Sequence, residues 1–132
     1  MAKKEKIMDE HQHQVRFMAV LRNFYRDVLV FAVPNGGKRD PKEAKRLVDE
    51  GVLSGVSDLM VAEPVGEYHG LFLEMKRAKG GTVSDKQELF MSRANQRGYK
   101  CVVAHGAEEA LHLFQEYMQV PEEERHYFPS KR

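Results

Sequence analysis

Gly55-Val56-Ser57-Asp58-Leu59-Met60-Val61 is followed, after a Pro- and Gly-containing stretch from Glu63 to Gly70, by Leu71-Phe72-Leu73-Glu74-Met75-Lys76. Both runs read as short strands, and the intervening residues read as the connection of a hairpin. Alternate residues of a strand share a face, so Phe72, Glu74 and Lys76 point one way and Leu71, Leu73 and Met75 the other. An acid and a lysine therefore stand side by side at the end of an otherwise apolar strand. If the two strands pair, Asp58 meets Glu74 across the ladder. Two carboxylates beside an amine form a site for a hard cation, with a group at hand for the proton of a water molecule.

The residues around this pair repeat an alternation of helix and strand. Phe17, Val20, Leu21, Phe24 and Val28 recur at helical spacing, which predicts an amphipathic helix from about Glu5 to Asp27. Val28 to Val33 is a β-branched and aromatic run that Pro34-Asn35-Gly36-Gly37 stops. Asp40-Pro41-Lys42-Glu43 opens a helix, with Asp as cap and Pro at the first position, and Gly51 closes it. After the hairpin, Ser84-Asp85-Lys86-Gln87 is a capping box for a helix running to about Arg97, ended by Gly98. Tyr99 to Ala104 reads as a strand and Ala107 to Met118 as a helix, broken by Pro121. Connections through helices imply parallel pairing and the hairpin implies antiparallel pairing. The expected architecture is thus α/β, with a central mixed sheet flanked by helices.

Composition sets the bounds. A chain of 132 residues is expected to form one domain, 1–132, with 42% hydrophobic and 31% charged residues, as in ordinary soluble proteins. No apolar run is long enough to span a bilayer, and the charged start Met1-Ala2-Lys3-Lys4-Glu5-Lys6 has no signal-peptide segment after it. With a single Cys, a cytoplasmic location is expected. The net charge is only +1, but Lys38, Arg39, Lys42, Lys45 and Arg46 form one basic cluster and Lys76, Arg77, Lys79 and Lys86 another. Basic patches beside a carboxylate pair fit a phosphodiester substrate. His11 and His13, one residue apart, do not share a helix face, so zinc is not expected there. Cys101, in an apolar strand, reads as a buried core thiol. Lys79-Gly80-Gly81-Thr82 lacks the spacing of a P-loop.

Taken singly, each element of the pair has a plainer reading: Glu74 and Lys76 as an ion pair on an edge strand, Asp58 as a turn cap. The ordered series is more specific. Asp58 and Glu74-Met75-Lys76 on adjacent strands resemble the signature of the PD-(D/E)xK nuclease superfamily. The wider pattern resembles its VRR-NUC branch, the virus-type replication-repair nuclease domain. The matching residues are Glu10 and Gln14, Pro34-Asn35-Gly36-Gly37, Gly51, Gly55-Val56-Ser57-Asp58, Glu74-Met75-Lys76, Ser84-Asp85-Lys86-Gln87 and Gly98-Tyr99. They cover about residues 8–118 and leave a polar tail, 119–132. The one departure is Ser57, where the family usually has Pro.

The resemblance implies a restriction-endonuclease-like core and a Mg2+- or Mn2+-dependent endonuclease of phage or bacterial type. It implies that Asp58, Glu74, the Met75 carbonyl and Glu10 bind the metal, with Glu5 competing for the place of Glu10. Lys76 would orient or deprotonate the attacking water, and Gln87 would support Lys76 or the phosphate unless it serves only as a cap. Asn35, Lys38, Arg39, Lys42, Lys79 and Lys86 would contact DNA. Small stand-alone members resemble homodimeric Holliday-junction resolvases. A monomeric flap or single-strand nuclease, or a non-catalytic DNA-binding module, are the other expectations, which a metal titration with a cleavage assay separates.

Overall fold

Four short strands would not make a core alone; the fold is held by what lies on either face of one sheet. The computed structural model describes residues 7–34 and 40–129. In chain order the elements are α1 (Glu10–Phe24), β1 (Val30–Ala32), α2 (Pro41–Asp49), β2 (Leu59–Val61), β3 (Leu71–Lys76), α3 (Asp85–Gln96), β4 (Lys100–His105) and α4 (Ala107–Met118), with a short 3-10 turn at Glu122–Glu124. The sheet order is β1-β2-β3-β4. β1 and β2 pair antiparallel, β2 and β3 pair antiparallel as the hairpin, and β3 and β4 run parallel. This is the mixed sheet that the sequence predicts.

The alternation along β3 sorts its residues as expected. Leu71, Leu73 and Met75 are fully buried in one cluster with Phe17 and Leu21 of α1 and Leu111 and Phe114 of α4. Phe17 and Phe114 meet edge to face, 6.0 Å between centroids. On the opposite face Phe72 packs against Phe90 of α3 and Tyr99, at 5.0 and 5.4 Å. Cys101 also faces α3, its thiol 3.7 Å from the Met91 carbonyl. It is only half buried, not the core thiol expected, because the tight core lies on the other side of β4, under Ala104. Burial still pushes its pKa up to about 11.

Several boundaries differ from the sequence reading. α1 does not begin near Glu5. Ile7 and Met8 are not helical, and Asp9 caps the helix by accepting from the Gln12 N–H at 2.8 Å while Gln12 returns a bond to the Asp9 N–H at 2.9 Å. The apolar stripe begins only at Phe17, and Asp9 to Gln14 before it are polar, so periodicity alone does not locate this start. At the other end Phe24, on the predicted stripe, is exposed and stacks on His126. β1 is shorter than Val28 to Val33, and β2 begins only at Leu59. The chain before it turns at Gly55, whose φ of +91° is glycine's region. A Cβ there would sit 2.4 Å from the Lys86 carbonyl oxygen, so Gly55 lets this turn lie against the start of α3.

The tail is docked on its own chain. Arg16 lies over the Phe128 ring at 4.4 Å. Fully buried Gln115 donates to the His126 carbonyl at 2.7 Å and to the Tyr25 hydroxyl at 3.0 Å. By contrast α2 buries no residue, and Val48, Val52 and Leu53 are exposed. Among the described residues no helix is long and apolar enough to cross a membrane.

Candidate active site

The hairpin register carries Asp58 to Glu74. Leu59 pairs with Leu73 and Met60 with Phe72, so the next step outward sets Asp58 opposite Glu74. β2 has ended there, and the Asp58 side chain takes over the ladder: its Oδ2 accepts the Met75 N–H at 2.7 Å. The even residues of β3 bond to β4, as Lys76 O does to the Gly106 N–H at 2.9 Å. Met75 therefore turns both its N–H and its C=O to the Asp58 side. The Met75 carbonyl thus stands where the resemblance puts a ligand.

Glu74 and Lys76 are both buried, at 3% and 6% exposure, although both are ionisable. A buried charge needs partners. Lys76 Nζ lies 3.6 Å from Glu74 Oε1 and donates to Gln87 Oε1 at 3.2 Å. Gln87 Nε2 donates to Glu74 Oε1 at 2.6 Å. Gln87 also closes the α3 capping box, its Oε1 accepting the Ser84 N–H at 2.9 Å. Cap and site support looked like alternatives for Gln87 in the sequence. Its amide has two ends and does both.

The electrostatics are unbalanced toward negative charge. Burial raises the Glu74 carboxyl to about 7, and the Asp58 charge adds to it, while Lys76 pulls the other way. Burial likewise raises Asp58; the Met75 N–H opposes this, and Glu10 raises it further. Glu74 Oε2 is buried and accepts no hydrogen bond. A divalent cation answers both features, as a partner for that oxygen and as an offset to the repulsion. The donors on offer are all oxygen, which suits Mg2+ or Mn2+.

Among the described residues no group of three or more His, Cys, Asp or Glu side chains stands close enough to hold a metal alone. Glu10 is exposed on the first turn of α1 and reaches Asp58 only through its field. Two carboxylates and a backbone carbonyl remain, and Mg2+ is commonly held by one or two carboxylates with the rest of its shell from water and substrate. Glu5, the competitor of Glu10, lies outside the described residues, as do Asn35, Lys38 and Arg39. Lys42 is exposed in the first turn of α2, Lys79 in the loop after β3, and Lys86 in the first turn of α3 beside Gln87.

Two residues here escaped the sequence reading. His13 is buried, and its Nδ1 accepts the Ala107 N–H at 3.1 Å. α4 starts at Gly106, which has no side chain to cap it, so His13 does so from α1 and ties the first turn of α1, with Glu10, to the sheet end. The signal was present: His13, Phe17 and Leu21 share one helical stripe. Ser57 is buried with no partner for its hydroxyl.

The sheet and the helices around it have a counterpart of known structure. A solved structure titled "VRR_NUC domain protein" superposes with a TM-score of 0.70 at 23% identity, over 88% of this chain and 93% of that one. At that identity the likeness speaks for the fold, which is restriction-endonuclease-like. No curated protein matches the chain. The family model of the VRR-NUC domain matches residues 8–108, and with most of its length so matched the chain belongs to the VRR-NUC nuclease family.

Proposed function

We propose that the protein is a Mg2+- or Mn2+-dependent, structure-specific DNA endonuclease, acting as a homodimeric Holliday-junction resolvase. The observation that carries the metal-dependent reading is the orphan Glu74 Oε2, buried beside Asp58 and within the Lys76–Gln87 network. A buried carboxylate oxygen without a partner, set against a second acid, lowers stability, which weighs against a non-catalytic DNA-binding module.

Asp58, Glu74, the Met75 carbonyl and Glu10 would hold the metal. When bound, it acts as a Lewis acid on the phosphoryl oxygen and lowers the pKa of coordinated water. Lys76 orients or deprotonates the attacking water, held in place by its bond to Gln87. Gln87 fixes Glu74 at the same time, so its loss would disturb both groups. Water adds to phosphorus, the O3′ bond breaks, and the products are a 5′-phosphate and a 3′-hydroxyl. Asn35, Lys38, Arg39, Lys42, Lys79 and Lys86 would line the DNA surface and position phosphates without reading bases. A four-way junction needs two symmetric cuts, which a two-fold dimer supplies.

A monomeric flap or single-strand nuclease is the second reading. It is favoured by the docked tail, which uses Phe128 within its own chain and removes it from any dimer contact. Labelled four-way junction, flap, nicked and linear duplex DNA, each with and without Mg2+ or Mn2+, decide the matter. Paired incisions in the junction are expected. Cleavage of flaps alone would favour the second reading, and no cleavage of any substrate would leave only the binding module.

A further inference from the structure

β3 ends at Lys76, and Arg77-Ala78-Lys79-Gly80-Gly81 leads away from the site. Gly80 and Gly81 both have positive φ, +76° and +78°, so the chain doubles back over what precedes it. A Cβ on Gly80 would lie 3.2 Å from Arg77 Nη2 and 3.4 Å from its Nε. A Cβ on Gly81 would lie 3.7 Å from Lys76 Cβ. The two glycines thus form a bed for the Arg77 guanidinium, next to the stem of the proposed water-handling lysine. From the other side, His105 Nδ1 lies 3.3 Å from the Arg77 carbonyl.

Arg77 lines a cleft of about 580 Å³ together with Met8, Glu10, His11 and Gly81. One wall of that cleft carries Glu10, whose field reaches Asp58; the other carries Arg77. Arg46 and Arg125 pair with glutamates, Arg16 lies over Phe128 and Arg97 donates to the Arg93 carbonyl, whereas Arg22, Arg26 and Arg93 stand away from this cleft. Among the described residues Arg77 forms no ion pair. It is an exposed cation lying against the Gly80–Gly81 turn, with no anion of the protein paired to it among the described residues.

We propose that Arg77 grips a DNA backbone phosphate adjacent to the scissile one, so that productive binding needs the strand to run at least one nucleotide past the bond that is cut. The inference rests on the nuclease reading and deepens it. A guanidinium offers a planar fork matched to two phosphate oxygens. The cleft beside Glu10 is otherwise unfriendly to an anion, so Arg77 sets where the strand passes.

The test is phosphate-charge interference on the whole protein. Single methylphosphonates are placed on either side of the cleavage position mapped with unmodified DNA. Cleavage by wild type, Arg77→Gln and Arg77→Lys is compared, with Arg22→Gln at the far end of α1 as control. A charge-assisted contact predicts that Arg77→Gln loses roughly tenfold or more in kcat/KM, mainly through KM. Arg77→Lys recovers part of the loss. One methylphosphonate costs wild type a similar factor and costs Arg77→Gln nothing further, since one contact cannot be removed twice. Melting temperature without metal is unchanged. Arg77→Gln cutting like Arg22→Gln, or losses that multiply, overturns the contact while leaving the nuclease reading intact. Wild-type protein that cuts no DNA overturns both.

Discussion

Asp58 and Glu74 are two acids in a place that suits neither. Asp58→Ala or Glu74→Ala is expected to abolish DNA cleavage while leaving the fold intact, because each also relieves repulsion with the other carboxylate. Melting temperature in EDTA should hold or rise, and cleavage at the wild-type rate in either variant would refute the assignment. The Glu74 shift has a pH consequence. Its carboxyl titrates at about 7 in the fold against 4.5 for the free group, so between these values the folded state keeps a proton that the unfolded chain has released. Stability is thus fully present below the lower value and declines as pH climbs through the window, by on the order of 3 kcal/mol. Urea unfolding in EDTA at pH 5 and pH 8 should show this decline for wild type and a smaller one for Glu74→Gln. Added Mn2+ at pH 8 should reverse it for wild type only. Lys76→Ala should retain Mn2+ binding by calorimetry at pH 8, where Glu74 is ionised, and lose turnover. Loss of binding together with turnover would make Lys76 structural. The Asp58–Glu74 meeting was legible because hairpin order and a period of two leave little choice of register. Glu10 was reached only by resemblance, since nothing in its neighbourhood distinguishes it from any solvated acid on a first turn. The double use of Gln87 depends on the distance between α3 and β3, which spacing does not encode.

At the scale of elements, the site stands on how the Gly55 turn meets α3. Gly55→Ala would drive a methyl into the Lys86 carbonyl, backbone against backbone, whereas Gly51, with φ +103°, has nothing within 4 Å of a Cβ. Gly51→Ala should cost only the strain of its backbone region, about 1–2 kcal/mol. Gly55→Ala should cost clearly more and should also lower cleavage, by shifting Asp58 against Gln87. Urea midpoints with matched slopes measure the first, and equal losses at the two glycines would contradict the packing described. The element order was readable throughout: α2 and α3 announce themselves by cap and stop, α1 by its apolar stripe and α4 by the Pro that ends it. The ends of α1 and β2 were not. A capping box at Asp9 and Gln12 sets the start of α1, several residues before the apolar stripe begins at Phe17. The late start of β2 follows from a close approach across the fold, which shows in the sequence only as a glycine.

For the whole molecule, the expectation is a dimer with both sites on one DNA-facing side. The tail offers less to that contact than its aromatic composition suggested, since Phe128 is spent on Arg16 and the core and only Tyr127 is well exposed. The second half of α2 and the turn after it leave Val48, Val52 and Leu53 uncovered. Light scattering at micromolar concentration should give a dimer, Val48→Glu with Val52→Glu a monomer, and Tyr127→Ala a dimer still. A wild-type monomer that cuts flaps and not junctions would establish the second reading. DNA affinity should fall steeply with salt, as counterion release requires. Sequence spacing could foresee the layers but not this distribution of exposed surface, because α2 has a clean amphipathic pattern and yet packs against no core.

The residues of the site come from far apart: Glu10 from the first helix, Asp58 and Glu74 from either arm of the hairpin, Gln87 from the helix that carries the chain across to β4. Lys76 is anchored through its carbonyl to Gly106, at the mouth of the last helix. No fragment that emerges early from the ribosome contains a working subset. A chain halted during synthesis, or clipped after the hairpin, has the acids without the frame that presses them together. If the proposed site is the working one, cleavage is expected only from the completed fold, and completion of folding would itself be the safety catch.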